Sequence, residues 1–399
     1  MSKTISITPV GPDTSRFTVL PPLTLYVHIP WCVRKCPYCD FNSHEARGGV
    51  PEAEYVAALV KDLEFALPQV WGRKVVSVFF GGGTPSLLSA RAVDEILTAV
   101  RTLLPLEPLA EITLEANPGT AEAQKFADFR SAGVNRLSLG IQSFNARHLR
   151  LLGRIHDDNE ARRAVELAQR HFDNINLDLM YALPEQRMDE MLADLKTAIA
   201  YGPQHLSAYH LTLEPNTRFY LAPPSLPDDD TAAEMQETAE AELAAAGYEH
   251  YETSGFARKG RRCQHNLNYW LFGDYLGIGA GAHGKLTLHD GILRQMRYKQ
   301  PQAYLENALQ GAPVQEAHRV ASDDLGFEFM MNALRLTDGF PLALFQERTG
   351  LPLVGVLDAL DKAEKRGLVE RELVQVRPTE LGRRFLNELL QGFLPEGKV

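Results

Sequence analysis

The segment HIPWCVRKCPYCDFNSH, residues 28–44, contains three of the four cysteines of this 399-residue chain. Cys32, Cys36 and Cys39 have the spacing C-x3-C-x2-C, directly after an apolar run, TLYVHI (24–29), that is typical of a buried strand. Clustered thiols in a chain with few other cysteines indicate metal binding or catalysis rather than a disulfide framework. The segment therefore predicts a metal-binding loop at the end of a strand.

Five more runs of apolar and β-branched residues follow, separated by amphipathic helical stretches. They are VVSVFF (75–80), EITLEA (111–116), RLSLGI (136–141), INLDLM (175–180) and HLSAYHL (205–211). Strands that alternate with helices predict βαβ units and a parallel sheet. In parallel barrels the reactive groups gather at the carboxyl ends of the strands, so the cysteine loop, GGGTPS (81–86) and EANPG (115–119) should share one mouth. Six units rather than eight predict an α/β fold with a partial (β/α)6 barrel, open on one side.

The sequence changes in character from about residue 320. The order there is helix, helix, short strand pair and helix, which resembles a winged-helix domain, and Phe327, Met331 and Leu334 fall on one face of the first helix. We therefore predict four parts. They are an N-terminal segment (1–22), the partial barrel (23–250), a connecting region (251–319) with the motifs HNLNYW (265–270) and GIGAGAHG (277–284), and a C-terminal, mainly helical winged-helix-like domain (320–399).

Composition and charge narrow the function classes. Hydrophobic residues make up 45% and charged residues 23% of the chain, which is ordinary for a globular protein. No apolar run is long enough for a membrane span, and the polar start MSKTISITPVGPDTSRF lacks the core of a secretory signal, so we expect a cytoplasmic protein. The net charge of -10 opposes general binding to nucleic acid or to an anionic membrane.

The cysteine spacing by itself is compatible with two kinds of metal site, a zinc site and an iron–sulfur cluster. A structural zinc site usually has a second pair of ligands downstream, and here only His28 or His44 could complete it. Three thiolates can instead hold a [4Fe-4S] cluster and leave one iron open for a ligand. A zinc-stabilised nucleic-acid adaptor thus remains an alternative to an iron–sulfur protein.

The same segment resembles the radical S-adenosylmethionine (SAM) superfamily. The features that match are C-x3-C-x2-C after the first strand and an aromatic residue, Tyr38, before the last cysteine. The resemblance implies that Cys32, Cys36 and Cys39 hold a [4Fe-4S] cluster and that SAM chelates the open iron. It also implies that reduction of the cluster can cleave SAM to methionine and a 5'-deoxyadenosyl radical.

Within this superfamily, nearly the whole chain resembles the branch that contains the anaerobic coproporphyrinogen III oxidase. The matching motifs are YVHIPWC, CPYCDFNSH, FFGGGTPS, LEANPG, GIQSF, LDLMYALP, HNLNYW and GIGAGAHG. Carried over position by position, the resemblance implies SAM contacts at Tyr26, Tyr38, Gly82, Gly83, Thr84, Glu115, Gln142, Arg154, Asp178, Ala208 and Ile278.

Two departures separate the sequence from the oxidases. Their pattern continues with a fourth cysteine two residues after the third, where this chain has Phe41, and their N-terminal segment is longer. Both features resemble the HemW-type haem chaperones, which lack the oxidase activity. The resemblance implies a protein that binds haem and SAM and passes haem to an acceptor protein. The oxidase, which decarboxylates propionate side chains, stays the main alternative, and whether the chain is an enzyme is left open.

HNLNYW also suggests a haem ligand. His265 offers an imidazole beside the flat rings of Tyr269 and Trp270, so we predict it as the axial ligand, with a histidine satisfied within the fold as the alternative. Cys263 is either a second haem ligand or an inert thiol. His283 is assigned no role. The haem acceptor is unknown, and the oligomeric state is left open, with a homodimer as one option.

Overall fold

The structure is a computed structural model that describes residues 17, 19–120 and 123–395. The predicted N-terminal segment therefore lies mostly outside the described residues. No helix of the described part is long and apolar enough to cross a membrane.

Six parallel strands form the centre of the molecule. The first, β1 (Leu23–Ile29), leads into the cysteine loop, where the short strands β2 (Trp31–Cys32) and β3 (His44–Glu45) pair with each other. The other five are β4 (Val75–Gly82), β5 (Leu106–Ala116), β6 (Arg136–Gln142), β7 (Ile175–Tyr181) and β8 (His205–His210). They lie side by side in chain order, as the alternating pattern predicted.

Helices connect these strands. They are α1 (Glu52–Val70), α2 (Ala90–Leu103), α3 (Ala123–Ala132), α4 (Ala146–Leu151), α5 (Asp158–His171), α6 (Met188–Tyr201), α7 (Arg218–Leu221) and α8 (Asp229–Ala245). In α2, Ser89 caps the N-terminus by accepting a hydrogen bond from Ala92 N (3.1 Å). The buried residues Val93, Leu97 and Val100 recur every three or four positions, so one face of the helix packs in the main core.

The sheet extends beyond the six predicted strands on both sides. The added elements are β9 (Glu249–Glu252), β10 (Gly255–Ala257), α9 (Gln264–Trp270), β11 (Asp274–Ile278), β12 (His283–Leu288), β13 (Gly291–Arg297), α10 (Pro301–Leu309) and β14 (Val314–Arg319). β10 joins β8 and β11 joins β1, giving twelve strands in the order β14-β13-β12-β11-β1-β4-β5-β6-β7-β8-β10-β9. In the described part of the chain, β14 and β9 do not pair with each other, so the sheet forms no closed barrel.

The carboxyl-terminal part is mainly helical, as predicted. Its elements are α11 (Ser322–Ala333), β15 (Phe340–Pro341), α12 (Leu342–Thr349), α13 (Val354–Lys365), β16 (Val369–Arg371), β17 (Gln375–Pro378), α14 (Glu380–Arg384) and α15 (Leu386–Gln391). The three short strands form a small sheet in the order β15-β17-β16. A second core, centred on Phe329, Phe340 and Phe345, joins this part to Phe272 and Ile292 of the extended sheet region.

The three residues grouped on one face of the first helix of this part differ in burial. Phe327, Met331 and Leu334 were placed on one face, but Leu334 is buried whereas Met331 is 39% exposed and Phe327 is half-buried. The buried face of α11 instead contains Phe329 and Met330. Phe327, which also packs against the second core, and Met331 line a cavity.

Candidate cofactor site

The carboxyl ends of the parallel strands line one cavity of about 350 Å³, here called the cofactor cavity. All three clustered cysteines line it, together with eight of the eleven positions inferred for SAM. These eight are Tyr38, Gly82, Gly83, Thr84, Glu115, Gln142, Arg154 and Asp178. Tyr26 lines a neighbouring cavity that shares Gly82 and Glu115 with the first. The structure thus brings the segments after different strands to one mouth.

Two of the inferred positions lie elsewhere. Ala208 and Ile278 are buried in the main core and line none of the cavities near the mouth. Ser207 and Tyr209, on either side of Ala208, line the cofactor cavity instead, because successive side chains of a strand point to opposite faces. A side-chain contact to SAM at Ala208 or Ile278 does not fit this geometry. Side chains along the strand HLSAYHL alternate between its two faces, and this alternation could have identified Ser207 and Tyr209 as cavity residues.

Three free thiols in the cysteine loop make a donor set suited to an iron–sulfur cluster. Cys32 ends β2, and a hydrogen bond from Cys39 N to Cys36 O (3.2 Å) closes the turn that contains the other two. Arg154 Nη1 lies 3.8 Å from Cys36 Sγ. Burial raises the pKa of Cys32 and of Cys39.

Among the described residues, neither of the two histidines considered is free to serve zinc as a fourth ligand. His28 Nε2 is hydrogen-bonded to Asn42 O (2.9 Å), and His44 Nε2 to Asn42 Oδ1 (3.3 Å). Within the described ranges, no three His, Cys, Asp or Glu side chains are close enough to enclose a single metal ion. A [4Fe-4S] cluster is larger than one ion and needs only these three thiolates, so the residues present fit it better.

The glycine segment packs directly against the cysteine loop. Gly83 N donates to Ile29 O (2.8 Å) and Thr84 N donates to Trp31 O (2.7 Å). Gly82 has a φ of 112°, which favours glycine, and an added Cβ would lie 2.5 Å from His28 Cε1. The absence of side chains at this segment lets its backbone form a wall of the cavity.

Gly82→Ala is expected to destabilise the protein by about 1–3 kcal/mol, because it adds both backbone strain and a clash with His28. Gly72→Ala is the matched control, since Gly72 also has a positive φ (73°) but has no atom within 4 Å of an added Cβ. Urea denaturation of both variants measures the difference. Equal losses of unfolding free energy would mean that close packing at Gly82 does not matter.

Three of the charged side chains that line the same cavity, Asp178, Glu115 and Arg154, belong to the positions inferred for SAM. Asp178 is held by Ser138 Oγ (3.1 Å) and Asn176 Nδ2 (2.7 Å), and burial raises its pKa. Burial, with a smaller effect from Asp178, raises the pKa of Glu115 to about 8. Arg154 Nη2 donates to Gly140 O (2.7 Å), while its Nε has no partner in the described part of the protein. The set is suited to a ligand with both an amine and a carboxylate.

Glu115 should make stability depend on pH. Its folded-state pKa, about 8, lies above the ordinary value of 4.5, so the folded chain keeps a proton that the unfolded chain loses. The free energy of unfolding of cluster-free protein should therefore fall as pH rises between these values. Glu115→Gln should flatten this fall, as measured by urea denaturation between about pH 5 and pH 8. Glu107 lies on the same strand and pairs with Lys74 at the surface. Glu107→Gln is therefore the control and should leave the pH profile of stability unchanged. Identical profiles for Glu115→Gln and wild type would contradict the prediction.

The prediction of His265 as a haem ligand does not fit the structure. Its side chain is 1% exposed, Nδ1 is hydrogen-bonded to Ser77 Oγ (2.9 Å) and Nε2 to Tyr269 OH (2.9 Å). An axial ligand needs an unengaged ring nitrogen, and both are engaged here. Burial lowers the pKa of His265 to about 3, so it is a neutral histidine satisfied within the fold, which was the alternative.

Cys263 is likewise part of the interior. It is buried, its Sγ lies 3.5 Å from Glu111 Oε1, and burial raises the pKa of the thiol to about 12. Such a thiol is inert. The structure therefore favours an inert thiol over a second haem ligand as the role of Cys263.

Comparisons with known proteins agree with this architecture. Residues 26–198 match the model of the radical SAM superfamily, and residues 320–385 match that of the HemN C-terminal domain. The fold and the cysteine-lined mouth thus define a radical SAM protein. The sequence is 50% identical to the heme chaperone HemW of Escherichia coli, over 94% of this chain and 99% of that protein. The chain belongs to the HemW family.

More distant relatives match over most of the chain. Heme chaperone HemW of Bacillus subtilis is 35% identical over 93% of this chain and 99% of its own length. The mouse mitochondrial radical S-adenosyl methionine domain-containing protein 1 is 37% identical over 93% of this chain and 87% of its own. The structure of coproporphyrinogen III oxidase from Escherichia coli superposes with a TM-score of 0.79 at 24% identity, over 94% of this chain and 90% of that one. This last likeness concerns the fold alone.

Proposed function

We propose that this protein binds haem and delivers it to an acceptor protein, and that it has a [4Fe-4S] cluster with exchangeable SAM. The support is a cavity lined by three free thiols in a chain whose curated relatives are named heme chaperones. Phe41, at the position of the oxidases' fourth cysteine, is 59% exposed at the rim of the cavity. A chaperone rather than an oxidase accounts for these features together.

The residues of the cavity have separate tasks in this proposal. A bound cluster supplies one-electron chemistry and an open iron for SAM. Cys32, Cys36 and Cys39 hold the cluster. The backbone at Gly82 allows a ligand to approach closely, Glu115 accepts hydrogen bonds from an amine or from hydroxyls, and Arg154 can pair with a carboxylate. The cavity lies in the strand mouth, so the strand ends fix these groups relative to one another.

Other parts of the proposal concern organisation and partners. We propose the cytoplasm as the location, a division of the chain at residues 22, 250 and 319, and no nucleic-acid partner. On α13, Lys362 pairs with Asp358 (2.7 Å), and Arg371 beside it pairs with Glu364 (2.9 Å). These balanced charges favour docking of protein over binding of DNA. The proposal leaves open whether the chain forms a homodimer.

The function is tested by two measurements on anaerobically reconstituted protein. Spectroscopic titration should show stoichiometric haem binding, and binding should be followed by transfer to an apo-haemoprotein. The protein is also incubated with reductant, SAM and coproporphyrinogen III, with an active oxidase as the positive control. Chromatography of the products should show no protoporphyrinogen from this protein. Formation of protoporphyrinogen would make the protein an oxidase, and failure to bind haem would exclude the chaperone.

A further inference from the structure

Two cavities extend from the cofactor cavity and together form a trench. The inner one, about 470 Å³, shares Phe41, Gly82 and Trp270 with the cofactor cavity. The outer one, about 550 Å³, shares Tyr275 and His283 with the inner one. Each volume lies in the range of small-molecule and cofactor sites. None of the SAM positions lies in the outer cavity, so the trench has room for a second ligand.

The walls of the trench are largely aromatic and apolar. Tyr269 and Tyr275 pack edge to face with centroids 4.6 Å apart, and Trp270 lies next to them. From α11, Phe327 and Met331 also line the outer cavity. Flat and adaptable apolar surfaces of this kind suit a planar macrocycle.

His283 lies where the two cavities meet. It begins β12, directly opposite Met296 of β13, and its side chain is accessible. Among the described residues, its ring has no hydrogen-bond partner, unlike those of His28 and His265, whose nitrogens are all engaged. Its imidazole is therefore available to a metal ion in the trench.

The environment of His283 lowers the pKa of its imidazole. Burial lowers its pKa, and the cations Lys299 and Arg294 lower it further, while Glu316 acts in the opposite direction. A neutral imidazole is the form that binds iron.

Donors for a carboxylate lie where the trench meets the cofactor cavity. Trp270 Nε1 and Arg335 Nε are buried without a partner in the described part of the protein. The guanidinium of Arg335 lies over the Trp270 ring, 4.5 Å from its centroid, and both residues line the cofactor cavity next to the trench. Unpaired buried donors are costly, and the propionates of haem would satisfy them.

We propose that the trench is the haem site and that His283 is the axial ligand of the haem iron. The inference rests on the proposed function and deepens it by naming the site. Phe41, at the rim between the trench and the cofactor cavity, would contact the macrocycle.

The cysteine loop is tied to the segment that contains His283. Asn42 Nδ2 donates to Ala280 O and to Lys299 O, both at 2.9 Å. Asn42 O is in turn hydrogen-bonded to His28 Nε2, and the amide of Asn42 packs against Gly281 so closely that a Cβ there would clash. The haem site and the cluster loop are therefore parts of one hydrogen-bonded unit.

The test is spectroscopic titration of reconstituted full-length protein with haem and, separately, with metal-free protoporphyrin IX. His283→Ala should weaken haem binding about tenfold or more and alter the Soret band, while it changes protoporphyrin binding much less. His283→Gly should recover the wild-type spectrum when imidazole is added. His289→Ala is the control, because His289 is an exposed histidine at the β12–β13 turn. Cluster absorption verifies that each variant is folded.

Specific outcomes would overturn the proposal. If His283→Ala leaves the Soret band and the haem affinity unchanged, the assignment of His283 is refuted. Haem binding by the wild type would leave the proposed function intact in that case. A loss seen only in His318→Ala would move the ligand to the outer end of the trench, where His318 lies near Glu316 (3.8 Å). Equal losses for haem and metal-free porphyrin would exclude iron ligation. Absence of haem binding by the wild type would instead refute the proposed function and this site with it.

Discussion

Cys32→Ala is expected to abolish the iron–sulfur cluster. Cys32, Cys36 and Cys39 are the three thiols of the cofactor cavity, and two thiolates alone would leave half of the iron corners without a protein ligand. After anaerobic reconstitution, bound iron and sulfide should fall about tenfold or more below the wild-type level. Cys36→Ala and Cys39→Ala should behave alike. Metal and sulfide analysis, with the charge-transfer absorption, measures the loss.

Cys263→Ala is the matched control for this experiment. Cys263 is a free thiol too, but it is buried beside Glu111, away from the loop. Its replacement should leave iron content unchanged and alter stability only modestly, since one small side chain loses its sulfur atom. A Cys32→Ala protein that keeps a full cluster would refute the assignment, as would zinc in place of iron in the wild type.

Asp62→Ala is expected to lower the free energy of unfolding by about 3–5 kcal/mol, because it leaves a buried guanidinium without its counter-ion. Asp62 and Arg297 are both 0% exposed, and Arg297 Nη2 lies 2.9 Å from Asp62 Oδ1. Asp62 Oδ2 also accepts from Tyr304 OH (2.9 Å) and from Gly279 N (3.2 Å). One carboxylate thus connects α1, α10 and the glycine segment between β11 and β12.

Urea denaturation should separate this loss from the effect of a surface charge. Glu64 lies on the same helix and pairs with Lys61 (2.7 Å), and both side chains are exposed. Glu64→Ala should therefore cost about 0–0.5 kcal/mol. If Asp62→Ala cost no more than Glu64→Ala, the buried network would not be a determinant of stability.

Much of the fold could be predicted from local patterns in the sequence. The six parallel strands are continuous apolar runs followed by polar or glycine-bearing segments, and that pattern also identified the cysteine loop, GGGTPS and EANPG as parts of one mouth. Strands β11 and β12 were not recognised, because GIGAGAHG between them has the composition of a loop. The place of β11 in the sheet depends on pairing with β1, which is distant in sequence, and β12 joins the sheet by pairing with β11 and β13.

The sequence by itself determined the donor set and its strand context, because the spacing of three thiols and the alternation of strands and helices are local properties. Which histidine is available was decided by the tertiary structure. His265 stands beside aromatic residues in the sequence, yet Ser77 and Tyr269 engage both of its nitrogens, whereas His283 had no assigned role and lines the trench. The reason is physical: whether a ring nitrogen is free depends in part on partners from distant strands, such as Ser77 of β4, and only folding brings those close.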